Sequence, residues 1–168
     1  MRRPRIHRAA PALCLTLGLG LVGAACGTPD PPPPPPAACE AVQNPLVDRI
    51  ATRVNSDRVA NGLGPLAWNG QLSCNAQDWA SHLASITQLV HQDLSTRIGD
   101  PEWSEWNAFG ENILQGPGTM TGDTIENTWM NSAGHRDNIL RDYDSVGIGV
   151  ATSADGRIWA VQEFGRHR

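Results

Sequence analysis

Val47, Ile50, Ala51 and Val54 recur at i, i+3, i+4 and i+7, the spacing of one helical face. Asn44-Pro45 just ahead supplies a capping side chain and a proline for the first helical position. Gly62 and Gly64-Pro65 end that helix. Leu66-Ala67-Trp68 reads as a short apolar link. A second helix is expected after Asn69, with Leu72, Ala76, Trp79, Ala80 and Leu83 on one face, fraying before His91. Residues 92–107 are polar with scattered aromatics and read as a loop with one helical turn. Residues 109–114 read as a strand, and the glycine-rich residues 115–122 as a loop. Asp123, with Glu126 three residues on, has the form of a capping box. The helix it would open carries Ile125, Trp129 and Met130. Residues 131–134 break it, and 135–140 allow one further turn. Residues 146–152 and 157–164 flank Ser153-Ala154-Asp155-Gly156, a hairpin signal. Helices first and an antiparallel sheet later make an α+β class.

The first 42 residues follow a different pattern. Four arginines occupy positions 2–8, an apolar stretch of small residues and leucines follows, and Gly23-Ala24-Ala25-Cys26 closes it. This is the layout of a secretory signal over residues 1–25. The cysteine after the small residues resembles a bacterial lipobox, although Gly23 stands where leucine is usual. The lipobox reading makes Cys26 the lipidated N-terminus; ordinary cleavage after Ala25 is the alternative. Residues 26–42 would form a tether, with prolines 31–36 as a stiff rod of roughly 20 Å. The domain proper is residues 43–168.

All 13 basic residues are arginine. From Cys26 onward 9 arginines face 17 acids, a net of −8. Such a body repels phosphate backbones and excludes a general nucleic-acid binder. No apolar run in it approaches the roughly 20 residues that span a bilayer, so contact with a membrane would come through the N-terminal lipid alone. With Cys14 in the signal and Cys26 at the lipid site, an oxidising compartment favours a Cys39–Cys74 disulfide. Two free thiols is the alternative.

Four histidines lie in the body. His167 reads as solvated tail, and His82, four after Asp78, as half of a surface pair. His91 and His135 each sit where a helical pattern breaks. Glu111 lies in a mostly apolar strand, where a carboxylate is costly unless paired or functional. Two histidines and a carboxylate suit a zinc site with an open position, or equally a hydrogen-bond network inside the core. H-E-x-x-H, G-x-S-x-G and P-loop signatures are absent, so no established catalytic motif is present.

Gly110-Glu111-Asn112-Ile113 and Trp129-Met130-Asn131-Ser132-Ala133-Gly134-His135-Arg136-Asp137-Asn138-Ile139-Leu140 resemble the CAP superfamily. Its members are the cysteine-rich secretory, antigen 5 and pathogenesis-related 1 proteins, whose domain is also called SCP. The likeness to the bacterial branch runs from about Leu46 to Gly165. It takes in Gly64-Pro65-Leu66-Ala67-Trp68, Val146-Gly147-Ile148-Gly149 and Gln162-Glu163-Phe164-Gly165.

The resemblance implies an α-β-α sandwich with a central, mainly antiparallel sheet. It also implies an open cavity lined by two histidines and two acids. By motif these fall on His91, His135 and Glu111, with Ser132 where the second acid stands in other members. A divalent cation, zinc first, would take His91, His135 and Glu111 as ligands. The family has no common reaction. The expectation is an exported, monomeric, envelope-tethered or secreted binding module for a lipid, glycan or protein. A metal-dependent hydrolase using Glu111, His91 and His135 is the alternative, and a structural lipoprotein is a third. Trp103, Trp106 and Phe109 would line a groove or belong to the core.

Overall fold

The structure, a computed structural model, describes residues 44–168. Residues 1–43, with the expected signal, Cys26, prolines 31–36 and Cys39, lie outside the described residues. The elements are α1 (Pro45–Ala60), β1 (Ala67–Trp68), α2 (Gly70–Ile86), β2 (Trp106–Pro117), α3 (Gly122–Met130), α4 (Ala133–Ile139), β3 (Ser145–Thr152) and β4 (Arg157–His167). Two 3-10 turns, Leu94–Arg97 and Pro101–Trp103, lie between α2 and β2. No helix among the described residues is long and apolar enough to cross a membrane.

Both expected caps form. Asn44 Oδ1 accepts from the Leu46 N–H at 3.0 Å, and Asn69 Oδ1 from the Leu72 N–H at 3.0 Å. The four strands are ordered β1-β3-β4-β2. β3 pairs antiparallel with β4, and β4 with β2, while the two residues of β1 run parallel to β3. The stretch read as a link is thus a short edge strand.

Side chains alternate across the sheet and divide the core in two. Val146, Ile148, Val150, Ile158, Ala160, Phe164 and Leu114 face α1, α3 and α4, where they meet Val47, Ile50, Val54, Ile125, Trp129 and Ile139. Ile113, Trp159 and Val161 face the other way, onto Ala76, Ala80, Leu83 and Ala84 of α2. This is the α-β-α sandwich. Gly147 and Gly149 lie under α2, where a Cβ would run into the helix backbone at Leu72, Ser73 and Ala76.

Several expectations are corrected. Asp123 and Glu126 form no capping box. Thr121 caps α3 by accepting from the Thr124 N–H, Asp123 pairs with Arg49 at 2.8 Å, and Glu126 is fully buried. Glu126 follows Ile125 and precedes Trp129 by three, so it belongs to the inward stripe of α3. β2 runs 12 residues, well past the expected strand, because it pairs with β4 through Pro117. His167 is no free tail: its Nδ1 lies 2.8 Å from Asp144 Oδ1, and its ring stacks on Trp106. His82 stacks on Trp79 instead of pairing with Asp78. Cys74 is half-buried on α2; Cys39, its expected disulfide partner, lies outside the described residues, so that pairing stays an expectation.

Outward carbonyls of edge strand β2 are taken by side chains. Tyr143 Oη donates to the Phe109 carbonyl at 2.8 Å, Asn138 Nδ2 to Glu111 at 3.0 Å, and Trp129 Nε1 to Ile113 at 3.4 Å. Gly110 lies beneath this crossing; a Cβ there would meet the Tyr143 hydroxyl at 2.5 Å.

Candidate functional site

Glu111 and Glu163 are directly opposed in the β2–β4 register, so two carboxylates share one position of a sheet face. Like charges so placed repel. Both residues are buried, which makes the repulsion worse. The segment after α2 resolves it. Gln92 Nε2 donates to Glu111 Oε2 at 2.8 Å and to Glu163 Oε1 at 2.6 Å, bridging the two acids. Arg97 Nη1 donates to Glu163 Oε2 at 2.7 Å and is itself buried. Arg97 Nη2 and Asn75 Nδ2 each donate to Gln92 Oε1 at 2.8 Å, and Asn75 also reaches Glu163. The Arg97 guanidinium lies 4.3 Å from the Trp103 ring centroid.

That frame presents one imidazole. His91 Nδ1 donates to Glu111 Oε1 at 2.7 Å, and the Gln92 N–H donates to the same oxygen at 3.1 Å. The His91 side chain is 59% exposed, while that of Glu111 is 2% exposed. A buried carboxylate thus fixes the tautomer and direction of a surface histidine, leaving Nε2 toward solvent. Burial pushes the Glu111 carboxyl above the usual range. Hydrogen bonds from Gln92 and His91 pull it back, and the charge of Glu163 pushes it up again.

His135 comes from α4, and the two sequence motifs are stitched together to place it. Asn112 Nδ2 donates to the His135 carbonyl at 3.1 Å, and Asn138 Nδ2 to Asn112 Oδ1 at 3.0 Å. Glu111 and Asn112 point to opposite faces, so adjacent residues serve the two histidines separately. His135 Nδ1 is buried without a hydrogen-bond partner among the described residues. Burial, aided by the charge of His91, lowers the His135 pKa. Ser132 caps α4 three residues earlier without a side-chain capping bond.

The sign of the His135 shift fixes a pH effect. A depressed histidine binds its proton less readily folded than unfolded. Stability is therefore lost as pH falls below about 6.5. We expect the denaturant midpoint to drop between pH 7.5 and 5, and His135→Gln to flatten that acid limb.

Chemically, two neutral imidazoles suit a divalent cation. Glu111 is turned away from that task, since both of its oxygens already accept hydrogen bonds from His91 and Gln92. No group of three metal-ligating side chains occurs among the described residues. Asn75, Gln92, Arg97 and Glu163 were missed by sequence reading. Only the strand register, which sets Glu163 opposite Glu111, could have pointed to them. Of the aromatic residues, Trp106 belongs to the core, while Trp103 is buried and also lines the cleft beside Arg97. Trp103 and Trp106 are buried against Leu72 with Phe109 packed beside them.

Comparison with known proteins agrees with this architecture. The family model described as "CAP: Cysteine-rich secretory protein family" matches residues 51–164. The Bacillus subtilis protein YkwD is 30% identical over 125 residues, covering 70% of this chain and 46% of that protein. An outer surface protein of Borrelia burgdorferi superposes with a TM-score of 0.61 at 20% identity, covering 72% of this chain and 92% of that one. An extracellular SCP-domain protein of Bacillus anthracis gives 0.58 at 23% identity, covering 72% of this chain and 40% of that one. The chain spans about half the length of the curated relatives it matches.

Proposed function

The chain belongs to the cysteine-rich secretory protein family, and from that premise we propose an extracellular binding module whose recognition centre is the His91–His135 pair. One observation carries the reading: both oxygens of Glu111 are already engaged, Oε1 with His91 and Oε2 with the Gln92 amide, and its side chain is almost wholly shielded from solvent. A carboxylate committed in this way orients a ligand-binding imidazole and is poorly placed to activate water. Ser132, where other members carry a second acid, adds no second base. Recognition is therefore better supported than hydrolysis.

A lipid, glycan or protein ligand remains the expected class, displayed outside the cell by secretion or by lipid at Cys26. A cleft of about 380 Å³ lies beside the Gln92–Arg97 frame, lined by Asn75, Trp79, Asp93 and Thr96 among others, and offers it polar contacts. A divalent cation would sit on His91 Nε2 and an imidazole nitrogen of His135. Its chemistry there would be to coordinate an oxygen of the ligand.

The test compares the protein with the His91→Ala/His135→Ala variant on envelope lipids and cell-wall glycans, beside zinc calorimetry at pH 7.5. Micromolar binding lost in a variant of unchanged melting temperature is expected. Zinc binding equal in both proteins removes the metal from the reading. Ligand binding equal in both removes the site.

A further inference from the structure

Glu126 is fully buried, on the sheet face opposite Glu111 and Glu163, beside the amide of Gln162. Gln162 Nε2 donates to its Oε2 at 3.3 Å, and its Oε1 has no partner. Asp57 Oδ2, on α1, is also buried without a partner. The nearby cation, Arg53, donates from Nη2 to Asn127 Oδ1 at 3.1 Å and lies 3.5 Å from Asp57 Oδ1, while its Nε, 3.5 Å from Asp123 Oδ1, is buried without a hydrogen-bond partner. Among the described residues no cation pairs with Glu126.

Ionised, Glu126 would be a buried charge with one bare oxygen, near a second acid, Asp57, that pairs with Arg53 through one oxygen only. Protonated, it needs one acceptor, and Asp57 Oδ2 is an acceptor without a donor. A single proton meets both shortages.

We propose that Glu126 is held as the neutral acid, its proton shared with Asp57 directly or through one water, and that this proton locks α1 and α3 to the sheet that positions His135. The coupling path is continuous. Gln162 Oε1 accepts from Asn112 Nδ2 at 3.0 Å, and the same Asn112 nitrogen donates to the His135 carbonyl. Glu126 is thus a positioning residue, two amides away from the α4 backbone.

The electrostatics agree in direction. Burial, then the charge of Asp57, raises Glu126 to about 8, against the Gln162 hydrogen bond and the charge of Arg53. The charges acting on it come from α1; the sheet presents only amides, and on its own helix Asp123 is held by Arg49. A glutamate of raised pKa keeps a proton that the unfolded chain releases above the ordinary glutamate value of 4.5. Stability therefore falls as pH rises from that range to about 8, then levels.

The experiment follows the Glu126 carboxyl carbon by NMR in the wild-type protein, with the side-chain amides of Gln162 and Asn112. Denaturant midpoints of wild type, Glu126→Gln and Asp57→Asn are measured from pH 5 to 9. The expected carboxyl midpoint lies near pH 8, far above an ordinary glutamate, and both amide resonances move with it. Glu126→Gln should abolish the alkaline decline, and Asp57→Asn should shift it to lower pH. A carboxyl midpoint in the ordinary glutamate range overturns the proposal without any variant. So does an unchanged decline in Glu126→Gln. Amides that stay still while the carboxyl titrates overturn the link to His135.

Discussion

Replacing Arg97 with methionine should cost about 3–5 kcal/mol, the usual loss when one member of a buried ion pair is removed. The reason is the register that opposes Glu111 and Glu163. Arg97 is the only cation bonded to Glu163 among the described residues, and it also steadies Gln92, whose amide bridges the two acids. Without it, Glu163 is left as an uncompensated charge beside a second carboxylate. The shape of Arg97 matters less than its charge, because methionine keeps most of the packing on Trp103. Urea denaturation of Arg97→Met, Glu163→Gln and the double variant checks this. The double variant should recover about half of the loss, since its second change removes the stranded charge. A single-variant loss under about 1 kcal/mol would mean that the amides of Gln92 and Asn75 suffice alone.

Gly147→Ala should be nearly as damaging, at about 3 kcal/mol, for a steric reason. The added methyl would meet the backbone of α2 at Leu72 and Ser73, and a helix backbone cannot step aside as a flexible side chain can. α2 would have to lift away from β3. Asn75, which reaches Glu163 from that helix, would move with it. Gly134→Ala is the control, because a Cβ there meets nothing within 4 Å. Thermal unfolding should separate the two by many degrees. Equal melting temperatures would show that α2 has slack over the sheet.

These two positions mark how far the sequence could be read. Local signals were legible. Asn44-Pro45, Asn69 and the Ser153–Gly156 turn announce their elements, because caps and turns depend on a few neighbouring residues. The motifs around Glu111 and His135 were legible through family likeness. What stayed hidden is non-local. Gln92, Arg97 and Glu163 are ordinary polar residues until β2 and β4 are set in register. β1 was invisible because two residues carry no periodicity. Glu126 was read as a cap because its spacing from Asp123 fits that motif, whereas α3 turns it inward.

The side chains that cover β2 have a consequence for how copies of this protein behave when crowded together. A bare strand edge is a template on which another chain can add its own strand, and assembly can continue from there. Here one edge of the sheet has three carbonyls already claimed by Tyr143, Asn138 and Trp129; on the other, β1 covers only the start of β3, and the Gln77 amide takes both the N–H and the carbonyl of Val150 further along. Neither offers a growing fibril a continuous row to copy. A protein at high local concentration can therefore keep a four-stranded sheet without cross-linking its neighbours through their backbones.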